Sequence, residues 1–238
     1  MKQSKMKDLK LSVVIPVFNE RETISQVIDR VRELNFELEI LVVDDCSTDG
    51  SCEVIRSLAE QSRDLRLFFH EVNRGKGAAL RTAFANVSGD IVVIQDADLE
   101  YNPQDIPQLI RPIMDGECEV VYGSRFLDKQ DTSQWYRNWH RTGNVSLTAI
   151  SNFFTGQHLT DMETCYKVFR RDTLADIAIK QDRFGVEPEL TAKLSRRKFR
   201  ICERPISYAQ RSYEEGKKIG ILDAVNALYC ILRYALAD

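Results

Sequence analysis

Asp96 and Asp98 stand one residue apart, with Ala97 between them and Leu99-Glu100 after them. Two carboxylates so close repel each other unless a cation lies between them. Hard oxygen ligands of this kind suit Mg²⁺ or Mn²⁺, which also share coordination with phosphate oxygens of a substrate. Other acids recur at similar places: Glu20, the pair Asp44 and Asp45, and further on Asp161 and Glu163. A positioned carboxylate can also take a proton from an attacking hydroxyl, so Asp161 and Glu163 are candidates for a general base. Basic residues that could surround a phosphate are Arg125, Arg211 and the pair Lys217 and Lys218. An isolated Asp-x-Asp is ordinarily a solvated strand end, so its meaning depends on the elements that carry it.

Those elements are legible. Ile91 to Gln95 is a run of apolar and β-branched residues, read as a buried strand with the acidic triplet at its carboxyl end. In open α/β sheets ligands bind outside the carboxyl ends of the strands, so Asp96 and Asp98 are expected to face a site. Leu11 to Val17 is a first strand, ending in Pro16 and the turn Phe18-Asn19-Glu20, and Leu38 to Val43 is a second, ending in Asp44 and Asp45. Asn19 followed by Glu22 predicts a capping box opening a helix with Ile24, Val27, Ile28, Val31 and Leu34 on one face. Ser47-Thr48-Asp49-Gly50 leads into a helix with Val54, Ile55 and Leu58. Leu65 to His70 is a third strand, and Leu80, Ala83, Phe84 and Val87 mark the helix after it. Asn102-Pro103 starts another helix, and Glu119 to Tyr122 is a short strand closed by Gly123-Ser124-Arg125. Repeated βα units predict an α/β fold with a mainly parallel sheet and helices on both faces.

After Arg125 the regularity weakens. Phe126 to His140 carries Trp135, Tyr136, Trp139 and His140 and reads as a loop entering a helix that runs through Phe154. A short strand follows at Val168-Phe169, then Phe184 to Glu189, then a late strand over Phe199 to Tyr208. From Gly220, Ile221, Leu222, Val225, Leu228, Tyr229, Leu232 and Leu236 predict a C-terminal amphipathic helix.

The 238 residues, 43% hydrophobic and 29% charged, have the composition of a globular chain able to bury a substantial core. A formal net charge of -3 argues against nucleic acid as the main partner. The six cysteines form no C-x-x-C pair, as expected of reduced thiols in the cytoplasm. Met1 to Lys10 lacks the apolar core of a secretory signal, and no run is long enough to span a bilayer. Peripheral contact with a membrane stays open.

Two familiar phosphate-binding designs fail. The turn after the first strand, Pro16-Val17-Phe18-Asn19-Glu20, has no G-x-G-x-x-G, and Gly75-Lys76-Gly77-Ala78 lacks P-loop spacing and hydroxyl. The two glycines are expected to let the backbone pass close to a ligand or a neighbouring helix. What remains is acids on strand ends, suited to hold a nucleotide by its base and ribose and its diphosphate through a metal.

Taken together, Val14-Ile15-Pro16-Val17-Phe18-Asn19-Glu20, Val42 through Gly50, Asn73-Arg74-Gly75-Lys76-Gly77 and Asp96-Ala97-Asp98 resemble the inverting family 2 glycosyltransferases of GT-A fold. Within them the chain is similar to the branch of dolichyl-phosphate mannosyltransferases and bacterial polyprenyl-phosphate glycosyltransferases. The resemblance implies a single Rossmann-like GT-A domain over residues 11–238 after a polar tail of residues 1–10. Residues 11–125 would bind the nucleotide sugar, 126–219 the acceptor, and 220–238 would form the terminal helix.

The resemblance also implies roles. Pro16, Phe18 and Glu20 would line the nucleotide pocket, Val43 and Asp45 would meet base and ribose, and Asp96, Ala97 and Asp98 would hold the diphosphate with Mg²⁺ or Mn²⁺. Glu100, where relatives often carry Gln, would complete the metal set. Arg125, Arg211 and Lys218 would act on the sugar or acceptor phosphate, with Lys217 the alternative to Lys218. The donor would be GDP-mannose or a UDP-sugar and the acceptor a polyprenyl or dolichyl phosphate, at the cytoplasmic membrane face in cell-envelope glycan synthesis. Two other readings stand beside it: transfer to a saccharide hydroxyl with Asp161 or Glu163 as base, and a non-catalytic sugar-nucleotide-binding subunit.

Overall fold

The structure is a computed structural model and describes residues 9–127, 139–210 and 221–236. Seven strands form one sheet: β1 Lys10–Val17, β2 Glu37–Asp44, β3 Leu65–Phe69, β4 Ile91–Ile94, β5 Val120–Ser124, β6 Lys167–Arg170 and β7 Ile201–Pro205. Their order is β3-β2-β1-β4-β6-β5-β7. β3, β2, β1 and β4 pair in parallel, as do β5 and β7, while β6 lies antiparallel between β4 and β5. The mainly parallel sheet is therefore as expected, with one reversed strand that the short Val168-Phe169 run could not reveal.

The helices are α1 Ile24–Arg32, α2 Ser51–Glu60, α3 Lys76–Phe84, α4 Ile106–Met114, α5 Trp139–Thr155, α6 Arg171–Ala175, α7 Val186–Arg196 and α8 Ile221–Leu236. Right-handed crossovers step outward from β1 to β3 and then return from β3 to β4, which places α1 and α2 on the opposite face from α3. Central strands are buried on both faces, Val13, Val14, Ile15, Ile40 to Val43 and Val92 to Val93 all being closed to solvent. This is why they read as continuous apolar runs rather than alternating ones. The late strand is shorter than expected, Ile201–Pro205, with an isolated bridge from Tyr101 to Tyr208 beyond it.

The capping box is a correction. Helix α1 starts at Ile24, and no side chain caps it. Asn19 instead takes a left-handed conformation (φ 52°), and its Oδ1 accepts the Thr48 amide at 2.8 Å across the sheet edge. An Asn tolerates that conformation, and the cross-strand bond uses the oxygen a cap would have needed. The helix start expected at Asn102-Pro103 is found, and there the Asn102 side chain accepts from the Gln104 amide at 3.2 Å.

The amino edge of the sheet is latched by a buried acid. Glu39 accepts from the Ser12 hydroxyl at 2.6 Å, the Ser88 amide and hydroxyl at 2.8 Å each, and Arg66 at 2.7 Å. Burial alone would raise its pKa, but those donors reverse the effect and bring it down to about 2.

Helix α8 packs through Ala227, Cys230, Ile231 and Tyr234, against α5 and α7 rather than against the sheet. Its other stripe, Val225, Leu228, Tyr229, Leu232 and Leu236, stays exposed. Among the described residues no helix is long and apolar enough to cross a membrane.

Candidate active site

The register of the parallel strands puts Pro16 beside Val43 and Val14 beside Ile94, and the Gln95 amide donates to the Val14 carbonyl at 2.9 Å. The chain therefore leaves β1, β2 and β4 at one level, with Phe18 to Glu20, Asp44 to Asp45 and Asp96 to Asp98 on a common rim. Because β6 runs the other way, the segment leading into it, Asp161 to Tyr166, arrives at the same rim. Arg125, just past β5, joins it there.

On the nucleotide side Glu20 and the acidic triplet are tied together. The Thr23 hydroxyl lies 3.0 Å from Glu20 Oε2 and 2.9 Å from the Ala97 carbonyl. The Glu20 amide donates to Ser51 Oγ at 2.9 Å. Asp45 is 3% exposed and builds the wall of the site. It accepts the Arg74 amide at 3.0 Å and the Gly75 amide at 2.6 Å, and its Oδ1 lies 2.6 Å from His70 Nδ1. The motif Asn73 to Gly77 is thus folded back on the second strand end. Its glycines serve close packing: a Cβ on Gly75 would meet the Asp182 carbonyl at 2.5 Å, and one on Gly77 the Gln181 carbonyl at 2.2 Å. The neighbour they admit is the backbone before α7.

Lys76, which the sequence showed only inside that motif, reaches the centre. Its Nζ lies 2.9 Å from Asp96 Oδ1 and 3.2 Å from Glu187 Oε1. Burial would lower the ammonium pKa, but Asp96 and Glu187 outweigh it and hold the group well above its ordinary value. Gln95, behind the triplet, accepts from the Tyr166 hydroxyl at 2.6 Å.

The three acids read as a metal set are not gathered alike. Asp98 Oδ1 accepts the Glu100 amide at 3.0 Å, while Glu100 Oε2 takes the Tyr208 hydroxyl at 2.7 Å. Among the described residues no three metal-ligating side chains converge as one group. Asp96 and Asp98 still fit Mg²⁺ or Mn²⁺, which commonly take one or two carboxylates and complete their shell with substrate phosphates and water. Glu100 is turned toward Tyr208.

Arg125 is 9% exposed and makes a bidentate pair with the fully buried Asp161, Nε and Nη2 each donating at 2.7 Å. Its guanidinium also lies 5.1 Å from the centre of the Tyr208 ring. Asp161 is spent on this pair and on the Arg125 amide at 3.1 Å. Glu163 differs: burial first, then Glu187, pushes its carboxyl up to about 8 against the pull of Lys167 and Arg125. Arg211, Lys217 and Lys218, with Trp135 and Tyr136, lie outside the described residues, as do the side chains of Trp139 and His140. The chain is anchored shortly before Arg211 by the Ala209 amide, which donates to the Glu100 carbonyl at 2.9 Å.

The sequence profile described as glycosyl transferase family 2 matches residues 12–178. An undecaprenyl-phosphate 4-deoxy-4-formamido-L-arabinose transferase of Aeromonas hydrophila is 32% identical over 229 residues, covering 93% of this chain and 67% of that protein. Its namesake from Proteus mirabilis is 30% identical over 229 residues, covering 94% of this chain and 67% of that protein. The chain thus spans about two thirds of the length of these relatives. Among solved structures, Mycobacterium tuberculosis glucosyl-3-phosphoglycerate synthase in complex with Mn²⁺ and UDP-glucose superimposes with a TM-score of 0.74 at 23% identity, covering 99% of this chain and 83% of that one. A second crystal structure of the same enzyme gives a TM-score of 0.73 at 23% identity, over 99% of this chain and 85% of that one. At that identity the likeness speaks for the GT-A fold alone.

Proposed function

This chain belongs to glycosyl transferase family 2, and from that premise we propose that it moves a sugar from a nucleotide diphosphate sugar to a polyprenyl phosphate, with inversion at the anomeric carbon. The observation that carries the reading is the common rim: acids from the ends of β1, β2 and β4 on one side, and Arg125 from the end of β5 on the other. The relatives support the acceptor, since the names of those at 30–32% identity specify undecaprenyl phosphate. The structural neighbours crystallised with Mn²⁺, UDP or UDP-glucose support the donor and the metal.

In this reading Pro16, Phe18 and Val43 face the base, Glu20 and Asp45 shape the ribose side, and Asp96 and Asp98 hold the metal across the diphosphate. A bound Mg²⁺ or Mn²⁺ supplies charge neutralisation to the leaving diphosphate. Lys76 keeps Asp96 in place, and Glu100 with Tyr208 closes the acceptor side. A lipid phosphate is already an anion, so the attacking oxygen needs no base. It needs cations to bring it against a second phosphate, the role of Arg125, Arg211 and Lys218. Asp161 occupies one edge of the Arg125 guanidinium, so an incoming phosphate would meet the opposite edge.

A lipid acceptor also requires a membrane approach. The exposed stripe of α8, with Phe153, 82% exposed on the α5 helix that packs against α8, offers apolar surface that would meet the cytoplasmic face of a bilayer. Sedimentation with anionic liposomes, comparing the protein with its L232S/L236S variant, tests this side; equal binding by both would remove it.

The transfer is tested by incubating the protein with UDP- and GDP-sugars, Mn²⁺ and a short polyprenyl phosphate, reading product mass. Asp98→Ala should abolish product while leaving the circular dichroism spectrum intact, and undiminished turnover in metal-free buffer would sink the reading. One observation favours a second: the raised pKa of Glu163 suits a base for a saccharide hydroxyl. Product on a saccharide acceptor, lost in Glu163→Gln, would decide for it.

A further inference from the structure

Glu100 follows Asp98 in the same turn, its amide donating to Asp98 Oδ1 at 3.0 Å. Its side chain and its main chain both reach the segment that follows β7. The carboxylate Oε2 accepts the Tyr208 hydroxyl at 2.7 Å, and the Glu100 carbonyl accepts the Ala209 amide at 2.9 Å. Tyr101 forms an isolated antiparallel bridge with Tyr208, and the two rings meet edge to face with centres 5.2 Å apart. The Ser207 amide donates to Asp105 Oδ2 at 2.9 Å. Ser207 to Ala209 is thus pinned residue by residue to the loop that leaves β4.

Tyr208 has another neighbour. The Arg125 guanidinium lies 5.1 Å from the centre of its ring and 5.5 Å from that of Phe126, while Asp161 accepts from Nε and Nη2 at 2.7 Å each. Asp161 fixes one edge of the guanidinium, and an edge by itself leaves the plane able to tilt about it. An aromatic ring packed on the group restrains that tilt. Recognition of a phosphate by the arginine fork depends on the plane as well as on the charge.

The hydroxyl is the point at which the Tyr208 ring is anchored. Its partner is a carboxylate, and hydrogen bonds to an ionised group are the stronger kind. Glu100 is therefore joined to Arg125 through one ring and to Asp98 through its own amide. Asp98 stands on the side of the leaving diphosphate and Arg125 on the side of the incoming phosphate, so this one turn sets the spacing between two anions that must approach each other.

We propose that Glu100 and Tyr208 are positioning residues for Arg125: the Glu100 carboxylate holds the Tyr208 ring against the guanidinium, and the ring fixes the plane in which Arg125 presents its remaining edge to the acceptor phosphate. The proposal rests on the reading of this chain as a polyprenyl-phosphate glycosyltransferase. It gives Glu100 a task on the acceptor side, in place of the metal-binding task that its spacing from Asp98 suggested.

The test is steady-state transfer by the full chain with Mn²⁺, UDP- or GDP-sugar and a short polyprenyl phosphate, beside Mn²⁺ titration of the same proteins in the presence of UDP or GDP. Y208F keeps the ring and loses the anchoring bond, and should raise the KM for polyprenyl phosphate about 10-fold. Its KM for the nucleotide sugar and its Mn²⁺ affinity should change less than about twofold. E100L should match Y208F, the double variant should be no worse than either single one, and E100Q, which keeps an acceptor oxygen, should recover most of the loss. R125K should raise the same constant, with Y208F adding little to it. General damage to packing would neither single out the acceptor constant nor be recovered by E100Q. Y208F removes one oxygen and keeps the test decisive where E100L does not fold. An acceptor KM of wild-type size in folded Y208F overturns this inference alone. So does a loss of Mn²⁺ affinity of about 10-fold in E100L that Y208F does not share, which would make Glu100 a metal ligand. Folded wild type that transfers from no UDP- or GDP-sugar to polyprenyl phosphate overturns the acceptor reading and this inference with it.

Discussion

The Lys76 ammonium stands 2.9 Å from Asp96 Oδ1 and 3.2 Å from Glu187 Oε1, so one buried cation ties the end of β4 to the first turn of α7. One oxygen of Asp96 is thereby held by a buried cation. Outer-shell partners of this kind orient a metal-binding carboxylate, and their loss typically costs 10–100-fold in metal affinity or activity. K76M is expected to lower transfer by about that factor at saturating donor. Titration with Mn²⁺ beside a circular dichroism spectrum checks it, and a folded K76M with wild-type turnover would remove Lys76 from the site.

Arg125 and Asp161 predict a stability effect where a catalytic base would predict a rate effect. Asp161 is fully buried and bidentate to Arg125, so D161N leaves a guanidinium in the interior with its counter-charge gone. Breaking a buried pair in this way costs about 3–5 kcal/mol. Urea unfolding should show that loss. A variant as stable as wild type but slower in transfer would return Asp161 to the role of base.

Glu163 predicts a pH dependence. Its carboxyl is raised to about 8 by burial and by Glu187 and Asp161, against Lys167 and Arg125. A folded-state pKa above the ordinary 4.5 means that the contribution of this group is complete below pH 4.5 and is lost as pH rises through about 8. Melting curves of wild type and E163Q should therefore diverge over that interval, the variant gaining relative to wild type toward alkaline pH. Parallel curves would contradict it. Transfer to a hydroxyl acceptor would also rise through about pH 8, whereas transfer to a lipid phosphate needs no such step.

Glu39 predicts the opposite sign at the other edge of the sheet. Burial works to raise its pKa, but Ser12, Ser88 and Arg66 depress it to about 2 from an ordinary 4.5. Its stabilisation is complete above pH 4.5 and disappears as pH falls toward 2. E39Q should flatten the acid limb of stability against pH and cost about 1.5–3 kcal/mol near neutrality, the worth of hydrogen bonds to a charged group. Urea titrations from pH 2 to 7 measure both, and an acid limb as steep in E39Q as in wild type would assign the transition to other carboxylates.

The sequence by itself determined the first half of the fold and the acidic side of the site. Strands β1, β2 and β4 are apolar runs buried on both faces, and each ends on an acid or meets one within three residues, at Glu20, Asp44 and Asp96. Such signals are local, carried by a few consecutive residues. Asn19 shows their limit: its type suits a helix cap, and only the neighbouring turn at Thr48 decided that its oxygen would cross the sheet edge instead.

The tertiary structure decided what those signals could not hold. Four residues, Lys167–Arg170, do not encode which strand they will pair with or in which direction. Their insertion between β4 and β5, reversed, carries Asp161, Glu163 and Thr164 to the rim where Asp96 and Arg125 already stand. It also separates the two late acids, burying Asp161 against Arg125 while setting Glu163 beside Glu187. Lys76, Asp96 and Glu187 are distant in the chain and share no periodicity, so their meeting exists only once α3, β4 and α7 are packed. Spacing could announce an acid pair, but the charges, donors and burial that give each carboxylate a separate task come from contacts between remote segments.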